Sequence, residues 1–241
     1  MASIAFHTAT TGVMEHQKAM DVLAHNIANV NTHGYKSELN SFQELLYTKV
    51  DSTEADDVMV GHGARLSKTD TNFIQGTLSQ TGRNLDFAFD VENGFFRIAT
   101  VNGDTVYTRN GNFELRNIGD RFVLVSSAYN GYVTDSNGNP IYISRLSDDS
   151  INDLGYTVGR FRFANLDGLS REDDGSFTAT VASGAAVSDD SIVLRQGYLE
   201  ASNVDYATEI TDVIKAQRSF QMNSRMVSIS DEIADTINHL R

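Results

Sequence analysis

The 241-residue chain contains no cysteine, which excludes disulfides, thiolate metal ligands and cysteine nucleophiles together and fits an exported protein that avoids mispairing. It has no run of about 18 apolar residues, so no segment reads as a membrane-spanning helix. The start, Met1-Ala2-Ser3-Ile4-Ala5-Phe6-His7, has neither a basic n-region nor a continuous apolar h-region. No cleaved secretory signal is therefore expected, and any export uses another route. Basic clusters are also missing. With 19 Lys and Arg against 32 Asp and Glu, the formal net charge is −13, so counterion release cannot drive binding to phosphate. Nucleic acid and anionic membrane surfaces are excluded as partners on that ground.

Catalytic constellations are equally scarce. The six histidines, at 7, 16, 25, 33, 62 and 239, form no HExxH and no ligand-spaced pair with a third donor. Asp135-Ser136-Asn137-Gly138-Asn139 starts like a calcium loop, but Pro140 replaces the required glycine and Leu146 the bidentate glutamate. A hairpin turn is the better reading. Gly61-His62-Gly63 opens a dinucleotide fingerprint that Leu66 breaks, and there is no nucleophile elbow and no Walker lysine. Asp173-Asp174 and Asp189-Asp190 are sequence neighbours whose side chains diverge in a strand. The expectation is no enzyme, with no catalytic residue, no metal and no cofactor.

What is present is helix at both ends and β-structure between. Ala2, Phe6, Ala9, Val13, His16, Met20, Leu23, Ile27 and Val30 recur at spacings of four and three, the period of a coiled-coil seam. Gly12 is the one strong propensity defect, and the helix should end near Asn29-Val30-Asn31 before Gly34. A second helix is predicted from about Asn203 to Leu240, opened by Ser202-Asn203-Val204-Asp205 at capping-box spacing. Its apolar residues form two faces displaced by roughly 140°: Tyr206, Ile210, Val213, Ile214, Phe220 and Val227, then Met226, Ile229, Ile233, Ile237 and Leu240. A helix with two seams needs more than one packing partner, or else a bend around a single core. In the middle, Asn102-Gly103, Asn110-Gly111, Asn130-Gly131, Asn137-Gly138 and Asp174-Gly175 read as type I′ hairpin turns. Residues 50–70, acidic at Asp51, Glu54, Asp56 and Asp57, read as a loop or extended linker.

Two segments carry a resemblance. Ala24-His25-Asn26-Ile27-Ala28-Asn29-Val30-Asn31-Thr32-His33-Gly34-Tyr35-Lys36 is similar to the N-terminal signature of bacterial flagellar rod and hook proteins. Gln196-Gly197-Tyr198-Leu199-Glu200-Ala201-Ser202-Asn203-Val204-Asp205, continued by Gln217–Ser224, resembles their C-terminal signature. Further matches run through Phe42–Tyr47, Gln75–Gly82, Leu85–Phe89 and Tyr107–Phe113, and the length points to the rod rather than the longer hook type. His33 departs from a common proline, which relaxes the turn. Asp90–Phe96 is one residue longer than usual, which should remodel a hairpin, and 144–194 matches only loosely.

The resemblance implies an α+β fold: an inner domain of paired, coiled-coil-like terminal helices (1–45 and 200–241), a connecting region (46–84) and an all-β outer domain (85–199). It implies a structural axial subunit that polymerises into a helical tube. Its partners would be further copies of itself, other rod and hook proteins and, where rings surround the rod, ring proteins, without membrane insertion. Its place would be the flagellar basal body, reached by flagellar type III export. Leu23, Ile27, Ile210, Val213, Phe220, Ile233 and Ile237 are the expected seam. Asn26, Asn29, Asn31, Gly34 and Tyr35, with Ser202, Asn203 and Asp205, are the expected caps and turns. The rivals are a proximal rod or hook subunit of the same family, a secreted β-rich adhesin or carbohydrate-binding module with coiled-coil ends, and a hydrolase with an unrecognised site.

Overall fold

The computed structural model describes residues 2–50, 58–143, 151 and 153–240. The acidic Asp51–Asp57 stretch and residues 144–150 lie outside the described residues. The described chain is α+β, with helices α1 (Ala2–Ala28), the one-turn α2 (Leu154–Thr157) and α3 (Tyr206–His239) around a mostly antiparallel β middle. It divides into a helical unit, Met1–Ala28, Glu38–Asp70 and Asp205–Arg241, and a β unit, Asn29–Ser37 and Thr71–Val204.

In the helical unit, α1 is followed by β1 (Glu38–Glu44), β2 (Tyr47–Val50), β3 (Val58–Gly61) and β4 (Ala64–Thr71). β1 pairs with β4 and β2 with β3, so the described part of the region read as loop or linker is strand. α1 packs along α3. The residues buried most completely on this pair are small or polar: Ala9, Ala19 and Asn26 on α1, Ala216 and Ser230 on α3. Gly12 marks the tightest approach, since a Cβ there would lie 2.7 Å from Asn223 Nδ2. The apparent propensity defect sits at the helix contact, where a larger residue would have to displace the Asn223 side chain. Small side chains let two helix axes come close, and the larger Phe6, Val13, Met20, Leu23 and Ile27 flank the contact half-buried.

α3 begins at Tyr206 rather than near Asn203. Its N-cap is Asp205, whose carboxylate accepts from Ala207 N at 3.0 Å and Thr208 Oγ1 at 2.8 Å. Asp205 stands three residues closer to the apolar pattern than Ser202 and accepts the orphan amide itself. Ser202 instead accepts from Val204 N at 3.3 Å, a local turn.

The β unit runs β5 (Leu78–Gln80), β6 (Phe87–Phe89), β7 (Phe96–Thr100), β8 (Thr105–Thr108), β9 (Glu114–Ile118), β10 (Arg121–Ser126), β11 (Gly131–Val133), β12 (Tyr142–Ile143), β13 (Phe161–Arg162), β14 (Ser170–Arg171), β15 (Phe177–Thr178), β16 (Val187–Ser188), β17 (Leu194–Gln196) and β18 (Tyr198–Glu200). One sheet has the order β12-β10-β11-β7-β8-β15-β14, with β9 also on β10, and β17–β6, β18–β5 and β13–β16 pair beside it. Adjacent residues on an extended chain point to opposite faces, and the Phe95-Phe96 pair uses this to seed two cores. Phe96 packs with Phe89 and Phe113, at centroid distances of 4.3 and 5.0 Å, among Ile98, Leu124 and Val133. Phe95 packs with Phe163 and Phe177, at 5.6 and 5.8 Å.

The turns differ from the type I′ expectation. Asn130 is the one described non-glycine residue with positive φ, whereas a I′ turn needs positive φ at both central positions. The loops at Gly103, Gly138 and Gly175 are instead three-residue hairpins. In each, the glycine amide donates to the residue three before it, as in Gly103 N to Thr100 O at 3.0 Å, and the glycine alone is left-handed. That is a type I turn closed by a glycine bulge. The first residue of an Asn-Gly or Asp-Gly pair serves either turn, so loop length decides between them. Asn110-Gly111 is no hairpin at all: Gly111 O accepts from Phe87 N at 3.0 Å as the chain passes from β8 to β9.

Candidate functional site

The expected seam residues all fall on α1 and α3 of the helical unit, but not in equal environments. Leu23, Ile27, Ile210, Val213 and Phe220 are half-buried, whereas Ile233 and Ile237 are 48% and 54% exposed. The second predicted face of α3 is open throughout the described residues: Met226, Ile229 and Leu240 are 47%, 40% and 83% exposed. No helix is long and apolar enough to cross a membrane among the described residues.

Asn26 does not cap α1. It is wholly buried, and its side chain pairs with the backbone of Glu38 as a strand neighbour would, accepting from Glu38 N at 2.9 Å and donating to Glu38 O at 2.8 Å. Its amide also donates to Glu209 Oε1 at 3.1 Å, which ties α1 and α3 to the first residue of β1. Burial pushes the Glu209 carboxyl upward, and the Asn26 hydrogen bond opposes this. Glu209 lines a groove of about 370 Å³ with residues of α1 and β1.

In the β unit, Asn29 and Thr32 form the turn, with Thr32 N donating to Asn29 O at 3.1 Å, while Asn31 and His33 are exposed. Gly34 has φ +70°, and a Cβ there would lie 2.5 Å from the backbone of Arg109 and Asn110. Glycine is required on both counts. Tyr35 is buried, with the Arg171 guanidinium carbon 4.6 Å from its ring centroid. Asn203 repeats the device of Asn26: it accepts from Ser37 N at 2.7 Å and donates to Asn72 O and Ile74 O at 2.8 and 3.0 Å. The asparagines of the two signature motifs thus fix consecutive residues, Glu38 and Ser37, each within its own unit.

Beneath this turn lies a cluster that the spacing of residues did not reveal. Glu200 is wholly buried between two cations: Lys36 Nζ is 2.6 Å from Oε1, and Arg109 donates to Oε2 through Nε at 2.8 Å. Lys36 also donates to Ile74 O at 2.7 Å. Arg109 donates to the carbonyls of Val91, Glu92 and Gly94 at 3.0, 2.6 and 2.8 Å. The lengthened Asp90–Phe96 segment therefore wraps a guanidinium. Gly34 N donates to Glu200 O at 2.8 Å, so backbone and side chain of Glu200 both hold the N-terminal motif. Burial, then the nearby Arg109, lowers the Lys36 ammonium from 10.5 to about 8, although Glu200 opposes the shift. Every member is buried inside hydrogen-bonding partners, an arrangement that fixes geometry rather than presenting a reactive group. Among the described residues no cluster of His, Asp and Glu could hold a metal.

The helical unit has an open apolar surface, and the β unit has its buried charges spent on internal hydrogen bonds; neither presents a reactive group. The described family "Flagella basal body rod protein" matches residues 6–36, "Flagellar basal body rod FlgEFG protein C-terminal" matches 195–240, and "Flagellar hook protein FlgE/F/G D1 domain" matches 92–155. The chain belongs to the flagellar basal-body rod protein family: it is a structural axial subunit of the flagellum, in the basal body, and not an enzyme. It is similar to the flagellar basal-body rod protein FlgG of Caulobacter vibrioides, 34% identical over 98% of this chain and 99% of the relative. It is 33% identical to FlgG of Bacillus subtilis, over 98% of each chain. The flagellar hook-basal body complex protein FlhP of the same organism is 30% identical over 97% of this chain and 98% of the relative.

Proposed function

We propose that the chain is a distal rod subunit that polymerises with copies of itself into a helical tube, joined by other rod and hook proteins at its ends. The terminal helices, 1–45 and 200–241, form the inner layer by coiled-coil-like pairing, residues 46–84 connect, and 85–199 form the outer coat. The observation that carries this reading is the uncovered second face of α3, from Met226 to Leu240, all 40% exposed or more. An apolar surface of this kind on one helix face marks a protein interaction site. A contact between two different patches of one subunit does not close as a two-fold dimer and gives an open helical array when its rotation does not close a ring. Export follows the flagellar type III route. Leu23, Ile27, Ile210, Val213, Phe220, Ile233 and Ile237 carry the seam.

Electron microscopy of the purified chain under polymerising conditions tests this directly. Straight, stiff tubes are expected; curved, flexible ones indicate a hook subunit, and a fixed-size trimer or dimer an adhesin. In the double variant Ile27→Asp/Ile210→Asp, the β signal in circular dichroism should persist while polymers disappear. Normal filaments from that variant would refute the seam.

A further inference from the structure

The groove in the helical unit carries an acidic side chain beside apolar ones, and another face of α3 carries arginines beside apolar ones. The groove lies among His16 and Leu23 of α1, Leu39 and Phe42 of β1, and Glu209 and Asp212 of α3. Its volume of about 370 Å³ is near the lower end of the roughly 300–1,000 Å³ of ligand pockets, room for a few side chains rather than a helix. Two features say what those side chains must be. Leu39 and Phe42 are 53% and 46% exposed, so the floor is apolar and uncovered. Glu209 Oε2 is buried and accepts no hydrogen bond. Buried carboxylate oxygens are normally satisfied, and the strongest donor to one is a guanidinium.

Such a donor lies on the chain's own α3. Lys215 lines the groove itself and pairs with Asp212 at 2.7 Å, which leaves Glu209 as the groove's unmatched acid. Beyond it, between Ala216 and Ser230, the helix carries Arg218 and Arg225 and no acidic residue, in a chain of formal net charge −13. Arg218, Met222, Arg225 and Ile229 follow at spacings of four, three and four, one face of a helix. That face is centred roughly 130° around the helix from Asn223, the residue against Gly12. It therefore points away from α1, and Met222 on it is 70% exposed.

We propose that the groove receives the Arg218–Met222–Arg225–Ile229 stripe of α3 from a second copy of this chain, methionine on the apolar floor and an arginine toward Glu209. This rests on the axial-subunit reading and says which surfaces make one of its contacts. Groove and stripe are different patches of one helical unit, so neither is used up when the other docks, and each added copy presents a fresh one of each. Such a heterologous contact builds an open helical array wherever its rotation does not close a ring.

The test uses the full chain with a photo-reactive benzoylphenylalanine at Met222, mixed in equal parts from ¹⁴N and ¹⁵N cultures. Irradiated polymers should yield mixed-isotope crosslinks joining the Met222 peptide to peptides of residues 38–42 or 208–219. In parallel, Arg218→Glu/Arg225→Glu should keep the wild-type circular dichroism, yet raise the critical concentration for polymerisation on the order of tenfold or more, the scale of losing a buried charge pair. Wild-type polymerisation by the charge-reversed chain, or crosslinks that map elsewhere, overturns this contact while leaving the axial reading intact. If the wild-type chain forms no polymers and no mixed-isotope crosslinks, both fall.

Discussion

The two units solve the problem of burial in opposite ways. The β unit hides its largest side chains: Phe87, Phe89, Phe95, Phe96 and Phe113 are all fully buried, together with a lysine, an arginine and a glutamate. The helical unit hides alanine, serine and asparagine and leaves methionine, isoleucine and leucine outside. A core of aromatic residues closes on itself within one chain. A helix pair joined through small residues reaches close contact but removes little apolar area from water, at roughly 25 cal/mol per Å². Stability is thus concentrated in the β unit, and the unspent apolar surface is concentrated on the helices, where it is free to act between subunits.

The sharpest way to break this contrast is to attack the buried charges. Glu200→Ala leaves Lys36 and Arg109 buried without their counter-ion, and removal of one partner from such a group costs about 3–5 kcal/mol. Urea unfolding followed by near-ultraviolet circular dichroism should show the β unit destabilised by that much, while the far-ultraviolet helix signal changes far less. A next, smaller effect concerns pH. Lys36 titrates near 8 in the folded chain against an ordinary 10.5. Between these values the unfolded chain binds a proton that the folded chain releases, so stability rises with pH across that window. Charged Lys36 costs stability below pH 8, and the cost is relieved as pH climbs toward 10.5. Lys36→Met should flatten the difference between unfolding midpoints at pH 7.5 and pH 9.5; an unchanged slope would show that another group is responsible. The smallest effect on the fold comes from the exposed face. Ile233→Ser/Ile237→Ser should alter monomer stability by no more than about 0.5 kcal/mol per site, as for surface positions generally. It should still weaken polymerisation measured by sedimentation.

The helical ends were the most readable part of the sequence because a 3.5-residue pattern is local and repeated. The two faces of α3 could be separated by angle alone, and only the more C-terminal one proved wholly open. The roles of Ser202 and Asp205 were harder to separate, since both residue types cap helices and the backbone decides which one stands at the boundary. Turn residues were legible as turns but not as turn types, because Asn-Gly and Asp-Gly serve both two- and three-residue loops. The Lys36–Glu200–Arg109 cluster was invisible. Its members lie far apart in sequence, Glu200 and Lys36 being separated by 164 positions. Each looks like an ordinary surface charge until folding brings them together. Lys36 was legible as part of a motif, without any physical reason for being lysine.

The clamp at Glu200 also sets where the β unit holds the ends of its own chain. The polypeptide enters that unit at Asn29, leaves at Ser37, re-enters at Thr71 and exits at Val204. Gly34, Lys36, Ser37, Ile74, Glu200 and Asn203 are linked to one another near those crossings by backbone and side-chain bonds. Within the β unit, the segments that carry its entry and exit points are therefore closed on one another by several bonds in parallel, and no single bond holds a crossing.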